Sequence, residues 1–246
     1  MNHHDTKVIA ITGAGTGIGA ATAQLLAAQG HRVLLAARRH HRIDEVAHRI
    51  RDNGGLALAV VTDVTKYEDM ENLVQEAARE FGRLDVLVGN AGIAKTGLVA
   101  GRDVAGWSAM IDVNFRGVLH GIAAALPVFQ KQGGGHFVTT LSTAGLKIVP
   151  SQSVYAATKN AVRTFLEAFR QENTDGTIRT TSISPGYVAT ELADSIEDEG
   201  LRAETQKFMA EFGLQPDAVA KAIAFAINQP ADVEIGDITV RPTVQG

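Results

Sequence analysis

The strongest constraint on this chain is an alternation that runs from end to end. Short, continuously apolar runs are separated by longer stretches with helical spacing. The runs lie at residues 7–12, 32–37, 56–62, 84–89, 136–141, 178–184 and 235–240, and none exceeds seven residues. A short run that is apolar at its centre, without strict alternation, fits a strand buried on both faces. Between the runs, Ile18, Ala21, Thr22, Leu25 and Leu26 recur at spacings of three and four, as do Met70, Leu73, Val74, Ala77, Ala78 and Phe81. Strands alternating with helices predict βαβ units. Right-handed crossovers then lead to an α/β, doubly wound fold, a seven-stranded parallel sheet with helices on both faces. No linker or low-complexity tract interrupts the pattern, so residues 1–246 are expected to form a single domain.

Composition removes several function classes. A chain of 246 residues buries enough surface to fold without a disulfide or metal staple. With no Cys there is no thiolate nucleophile and no Cys-based metal site. The net charge of −4 lacks the basic excess of a nucleic-acid binder. No apolar run approaches the ~20 residues of a membrane span. Met1-Asn2-His3-His4-Asp5 does not resemble a signal peptide, so a soluble, cytoplasmic protein is expected. His3-His4 and His40-His41 are adjacent pairs that do not converge on one ion, and His120 and His136 have no obvious partner carboxylate. No metal is expected.

The first run leads into Gly13-Ala14-Gly15-Thr16-Gly17-Ile18-Gly19 and then a helical stretch. Glycine lets the backbone turn tightly and approach a ligand. The following helix presents free N–H groups and the positive end of its dipole, which suits a pyrophosphate. The second run ends at Ala37-Arg38-Arg39, about 20 residues past the glycines, where an acidic residue would bind a ribose 2′-hydroxyl. Its absence, with two guanidinium groups following, favours a 2′-phosphate and hence NADP(H). Further along, Tyr155 and Lys159 stand four apart in a helical stretch, so phenol and ammonium share a face. A nearby ammonium favours phenolate, which would tune Tyr155 as a proton donor or acceptor.

With Thr12 in front, the glycine loop reads TGxxxGIG, and in this the chain resembles the short-chain dehydrogenase/reductase family over essentially its whole length. The resemblance implies a Rossmann-type domain and a nicotinamide cofactor. It implies adenine contacts from Asp63 and Val64, although Asp63 also reads as a helix cap, with Thr65 the better cap. Gly89-Asn90-Ala91-Gly92 matches the family's NNAG segment except at Gly89, a departure that bears on a structural hydrogen bond to a neighbouring strand. Asn90, Ala91 and Gly92 would lie against a ribose. Asn114, Ser142, Tyr155 and Lys159 match the family's catalytic tetrad. Tyr155 is then the general acid/base and Ser142 holds the substrate oxygen. Lys159 binds the nicotinamide ribose, and Asn114 anchors a water in a proton relay. Pro185, Gly186, Val188 and Thr190 match the segment that orients the carboxamide.

The implied activity is NADP(H)-dependent interconversion of a ketone or aldehyde with its alcohol. The ending Arg241-Pro242-Thr243 is similar to that of the NADP-dependent branch that includes clavulanate dehydrogenase-like and serine dehydrogenase-like members. Alternatives are a 3-oxoacyl-carrier-protein reductase and a non-catalytic NADP-binding regulator. Ala144 and Tyr187 are expected against the substrate, with Ala94, Thr96, Leu146, Val149, Leu192 and Ile196 completing the wall. Residues 187–215, which lack a strand pattern, read as a flap or as a surface helix pair. Apolar residues on several faces of 100–129 and 151–169, together with the resemblance, imply a homo-oligomer, a tetramer or dimer.

Overall fold

The computed structural model describes residues 6–245. The His3-His4 pair therefore lies outside the described residues. All seven expected strands form: β1 (Val8–Thr12), β2 (Arg32–Ala37), β3 (Leu56–Val61), β4 (Val86–Gly89), β5 (Gly135–Thr140), β6 (Ile178–Pro185) and β7 (Asp237–Val240). They make one parallel sheet in the order β3-β2-β1-β4-β5-β6-β7. The helices are α1 (Gly17–Ala28), α2 (His40–Asp52), α3 (Tyr67–Phe81), α4 (Val104–Met110), α5 (Gly117–Gln132), α6 (Ser153–Glu172), α7 (Glu199–Phe212) and α8 (Pro216–Ile227). Among the described residues no helix is long and apolar enough to cross a membrane.

Alternation along each central strand divides the core into two layers. Val8, Ala10, Leu34 and Ala36 join Leu73, Ala77, Phe129 and Leu166 on one face. Ile9, Ile11, Val33 and Leu35 join Leu26, Val46, Val219 and Ile223 on the other. Full burial of each large apolar side chain contributes roughly 1.5–3 kcal/mol, so the two layers stabilise the fold together. Two expected runs depart from this pattern. The runs at 56–62 and 235–240 form the edge strands β3 and β7, where a missing neighbour leaves Leu56 and Val61 half exposed. Gly133 ends α5 with φ +81, and Gly135 leaves room for the Phe129 ring, on which a Cβ would fall. The glycine triplet is thus a helix stop followed by a packing site.

One element is irregular and one local reading is corrected. The stretch 109–126 is not one regular helix. One π-helical turn, Ile111–Arg116, separates α4 from α5 and contains Asn114. Neither Asp63 nor Thr65 caps the next helix, since α3 begins behind Lys66 without a side-chain cap. Instead the Asp63 carboxylate accepts from the Thr65 N–H (3.0 Å) and hydroxyl (2.8 Å) and closes its own turn.

His136 in β5 is buried, with Nε2 2.8 Å from the Thr181 hydroxyl. That hydroxyl donates to the Ile235 carbonyl (2.6 Å), so Nε2 carries the proton and Nδ1 is left bare with no partner. Burial, reinforced by the Arg179 and Lys7 cations, pushes the imidazole down to about 3. The unfolded chain takes up this proton near pH 6.5 and the native protein does not, so stability falls as pH drops from 6.5 toward 3. His136→Gln keeps the donor and cannot ionise. Urea unfolding at pH 7 and 4.5 should show the wild type losing about 2–3 kcal/mol more than the variant. Equal losses would refute this assignment.

Candidate active site

The strand order reverses between β1 and β4, and the loops leaving their carboxyl ends diverge into a crevice. The glycine loop fills one side. Gly13 (φ +66) and Gly17 (φ +54) occupy the left-handed region. A Cβ on Gly13 would lie 2.9 Å from the Ala91 Cα, and one on Gly17 would lie 2.9 Å from Thr190 Cγ2. The loop is therefore held between the segment after β4 and the segment after β6. Ile18 stands in the first turn of α1 beside Gly19, whose missing side chain lets the helix close on the Gly13 carbonyl. Thr16 precedes α1 without capping it, and no acidic residue occupies the first turn. The first N–H groups of α1 thus face the crevice mouth without a side-chain acceptor, which suits an anion.

A hub of hydrogen bonds holds the strand ends level. The Thr12 hydroxyl donates to the Val88 carbonyl (3.3 Å) and accepts from the N–H groups of Asn90 (3.0 Å) and Ala91 (3.1 Å). Asn90 donates back to the Thr12 carbonyl (3.0 Å), and Thr140 donates to Asn90 Oδ1 (3.2 Å). Gly89 pairs in register with Thr139 and lines a buried cavity of about 20 Å³ with Thr12, Thr139 and Phe137.

Across the crevice, α6 presents Tyr155 and Lys159, both buried. Lys159 Nζ donates to the Thr140 carbonyl (2.8 Å) and lies 5.8 Å from the Tyr155 ring centre. Ser142 follows β5; it hydrogen-bonds the Tyr155 phenol, and its hydroxyl also accepts from the Ala144 N–H (3.0 Å). Ala144 packs under Tyr155 with Ala94 and Met110. Asn114 is 1% exposed. Its Oδ1 accepts from the Ile93 N–H (2.9 Å), while Nδ2 donates to the Ile93 carbonyl (2.9 Å) and to Thr158 Oγ1 (3.2 Å). Thr158 in turn donates to the Tyr155 carbonyl (2.7 Å). Gly92 stands between two of these groups: a Cβ there would be 3.4 Å from Asn114 Oδ1 and 3.5 Å from Lys159 Nζ. All four expected residues therefore converge on one place.

Their titration differs from the sequence expectation of a phenol lowered by its ammonium neighbour. Burial pushes the Tyr155 phenol up, and the Ser142 hydrogen bond offsets only part of this. Burial also pushes Lys159 down, to about 8. Desolvation outweighs attraction because both charged forms are costly so deep in the protein.

The corner past β2 is more exposed. Arg38 projects into solvent past β2. Two Thr65 hydrogen bonds, followed by the charges of Arg38 and Lys66, outweigh burial and hold the Asp63 carboxyl below its usual range. Val64 is buried against α5. Arg39 is engaged: its Nη2 lies 3.0 Å from Glu191 Oε2, while Arg42 Nη2 is 3.8 Å from Oε1. The Cβ of Arg42 backs onto Gly15, and its Nε is buried without a partner.

Beyond the Pro185-Gly186 turn, residues 187–215 are mostly helical, with a 3₁₀ turn at Glu191–Ser195 and then α7. Ala193, Ile196 and Met209 form a small core of their own, against which Tyr187 packs. Ile196, expected on a substrate wall, is buried there instead. The Tyr187 ring meets Phe208 edge-on at 4.8 Å. Val188 bridges to Leu214, and Thr190 accepts from the Leu192 N–H (3.3 Å). Ser195 accepts from the Ala94 N–H (2.9 Å), and Glu197 pairs with Lys95. Sequence reasoning missed the Thr12 hub, Glu191 and Gln245. Only Thr12 left a signal, as the residue before the glycine loop.

Comparison with known proteins agrees with this geometry. The family model described as short chain dehydrogenase matches residues 7–200. An uncharacterized oxidoreductase of Listeria monocytogenes is 44% identical over 241 residues, 97% of each chain. The closed form of serine dehydrogenase complexed with NADP+ superimposes with TM-score 0.89 at 30% identity, covering 97% of this chain and 96% of that one. A short chain dehydrogenase/reductase from Burkholderia phymatum in complex with NAD gives TM-score 0.88 at 28% identity, covering 97% and 90%.

The Gly89 position yields a stability prediction. A Cβ there would meet Thr139 at 3.7 Å, an ordinary contact, and no positive φ opposes it. Gly89→Ala should stabilise by about 0.4–1 kcal/mol by restricting the unfolded chain. Thermal melting followed by circular dichroism should rise by about 1–3 °C. A lowered midpoint would show that the cavity is needed open.

Proposed function

The chain belongs to the short-chain dehydrogenase family of oxidoreductases, and on that premise we propose that it interconverts a ketone or aldehyde with its alcohol, using NADP(H). The observation that carries this reading is the pair of buried side chains Tyr155 and Lys159, with the half-buried Ser142 against the phenol, beside the glycine loop. When bound, the nicotinamide supplies or accepts the hydride. The protein's own contribution is the proton and the geometry. Tyr155, kept protonated by its burial, donates to the carbonyl oxygen or takes the alcohol proton back. Ser142 holds that oxygen in line with the phenol. Lys159 binds the nicotinamide ribose and steadies the charge on Tyr155. Asn114 has spent both amide hydrogens but keeps a lone pair on Oδ1, with which it holds a relay water.

The cofactor's pyrophosphate would fit the uncapped start of α1 and the 13–19 loop, where Gly13, Gly15, Thr16, Gly17, Ile18 and Gly19 would hold it. Asp63 and Val64 take the adenine, and Asn90, Ala91 and Gly92 take the ribose. Pro185, Gly186, Val188 and Thr190 orient the carboxamide. Ala37, with Arg38 and Arg39 after it, favours the 2′-phosphate, in keeping with the NADP+-bound serine dehydrogenase. Ala144 and Tyr187 border a small neutral substrate. The domain is single, with residues 187–215 as its flap. It acts in the cytoplasm as a homo-oligomer, a reading favoured by exposed Leu98, Val99, Val104 and Ile111 on and flanking α4.

Two variants test this reading. Tyr155→Phe should bind NADPH normally and lose turnover by about 10²–10⁴-fold in an NADPH-oxidation assay over a panel of carbonyls. Near-wild-type kcat would remove the role from Tyr155. Ala37→Asp combined with Arg38→Leu should reverse the preference between NADPH and NADH, read as the ratio of kcat/KM values. An unchanged ratio would sink the assignment of the 2′-phosphate to this corner.

A further inference from the structure

The segment after β7 reaches back to the active site. Gly186 donates to the Val240 carbonyl (2.8 Å), which sets the segment beside the Pro-Gly turn. A bond from the Gln245 N–H to the Pro242 carbonyl (3.0 Å) then turns the chain. The Arg241-Pro242-Thr243 stretch is therefore the bend that delivers Gln245. The Gln245 side chain spans two loops: Oε1 accepts from the Tyr187 N–H (3.0 Å), and Nε2 donates to Thr143 Oγ1 (3.1 Å). It lies so close to Gly186 that a Cβ there would fall 2.1 Å from Oε1 and 2.8 Å from the Arg241 Cβ. The bare face of this glycine is thus occupied by the returning segment.

The two anchored loops are the two sides of the reaction gap. Thr143 follows Ser142 directly and opens the short turn that Ser142 caps. Tyr187 sits between Gly186 and Val188, in the segment assigned to the nicotinamide. We infer that Gln245 is a positioning residue that sets the distance between the nicotinamide loop and the Ser142 loop. The inference rests on the cofactor reading above. A carboxamide suits the task because it offers an acceptor to one loop and a donor to the other, a pairing that neither Glu nor Leu reproduces.

The test uses calorimetric titration of the full chain with NADPH and with 2′,5′-ADP, which lacks the nicotinamide half. Gln245→Leu should bind 2′,5′-ADP within twofold of wild type and NADPH about five- to tenfold more weakly. Thr143→Val breaks the same bridge from the other side and should show the same selective loss. The double variant should be no worse than the weaker single one, because both remove one shared interaction. Unchanged NADPH affinity, equal weakening of both ligands, or additive losses would each overturn the inference. Should Gln245→Leu fail to fold, Thr143→Val alone decides between these outcomes. Wild-type protein that binds neither ligand would overturn the cofactor reading, and this inference with it.

Discussion

The site depends on three strand ends being held at one depth, and the Thr12 hydroxyl is the group that holds them. One oxygen donates to β4 and accepts from two N–H groups just past it, while Asn90 returns a bond to β1 and accepts one from β5. A parallel sheet leaves its terminal backbone groups without ladder partners, and buried groups of that kind must be paired. Pairing them through one hydroxyl makes the glycine loop, the 90–92 segment and the Thr140 carbonyl a single rigid unit. Lys159 then reads its position from that unit, because its ammonium is bonded to Thr140. The glycine loop and the ammonium thus stand in fixed relation across the crevice, before any ligand contributes.

Burial, more than charge, sets the chemistry of this crevice. An ammonium and a phenol four residues apart suggest, on paper, a phenol made more acidic. Both groups are deep enough that desolvation dominates, so each leans toward its neutral form. A phenol that stays protonated is poised as a proton donor. The π-helical turn has a related purpose. It brings Asn114 out of register with the flanking helices, so that its amide pairs with both backbone groups of Ile93 and with Thr158. The Tyr155 backbone is tied to the same cluster through Thr158.

Much of this is legible in the residues. The central strands announce themselves because two buried faces demand continuous apolar runs, and the switch point follows from their order. Tyr155 and Lys159 are readable because helical spacing dictates a shared face. The edges are less legible: the run at 56–62 looks like any other, and only the neighbour missing from the finished sheet exposes Leu56 and Val61. The π-helical turn leaves no mark because it shifts hydrogen bonding without changing composition. The Asp63 turn is easily mistaken for a cap because a short carboxylate serves a cap and a turn equally well. Gln245 has no local signal at all. Its partners lie 58 and 102 residues away, and only the completed fold brings them together.

The corner past β2 is built from exposed charges. Arg39 and Glu191 are each about half exposed, with the carboxylate also approached by Arg42. An ion pair so wet contributes at most about 1 kcal/mol, so Glu191 does not lock Arg39 away from a doubly charged phosphate. Placement matters more than strength here. Glu191 follows Thr190, which rests on Gly17, and Arg42 rests on Gly15. The pair therefore closes a bridge from the start of α2 to the 3₁₀ turn across the outer rim of the glycine loop. Any anion bound beside Arg39 must share its guanidinium with this carboxylate. Arg38 makes no such ion pair among the described residues, and its charge is felt at the Asp63 carboxylate instead.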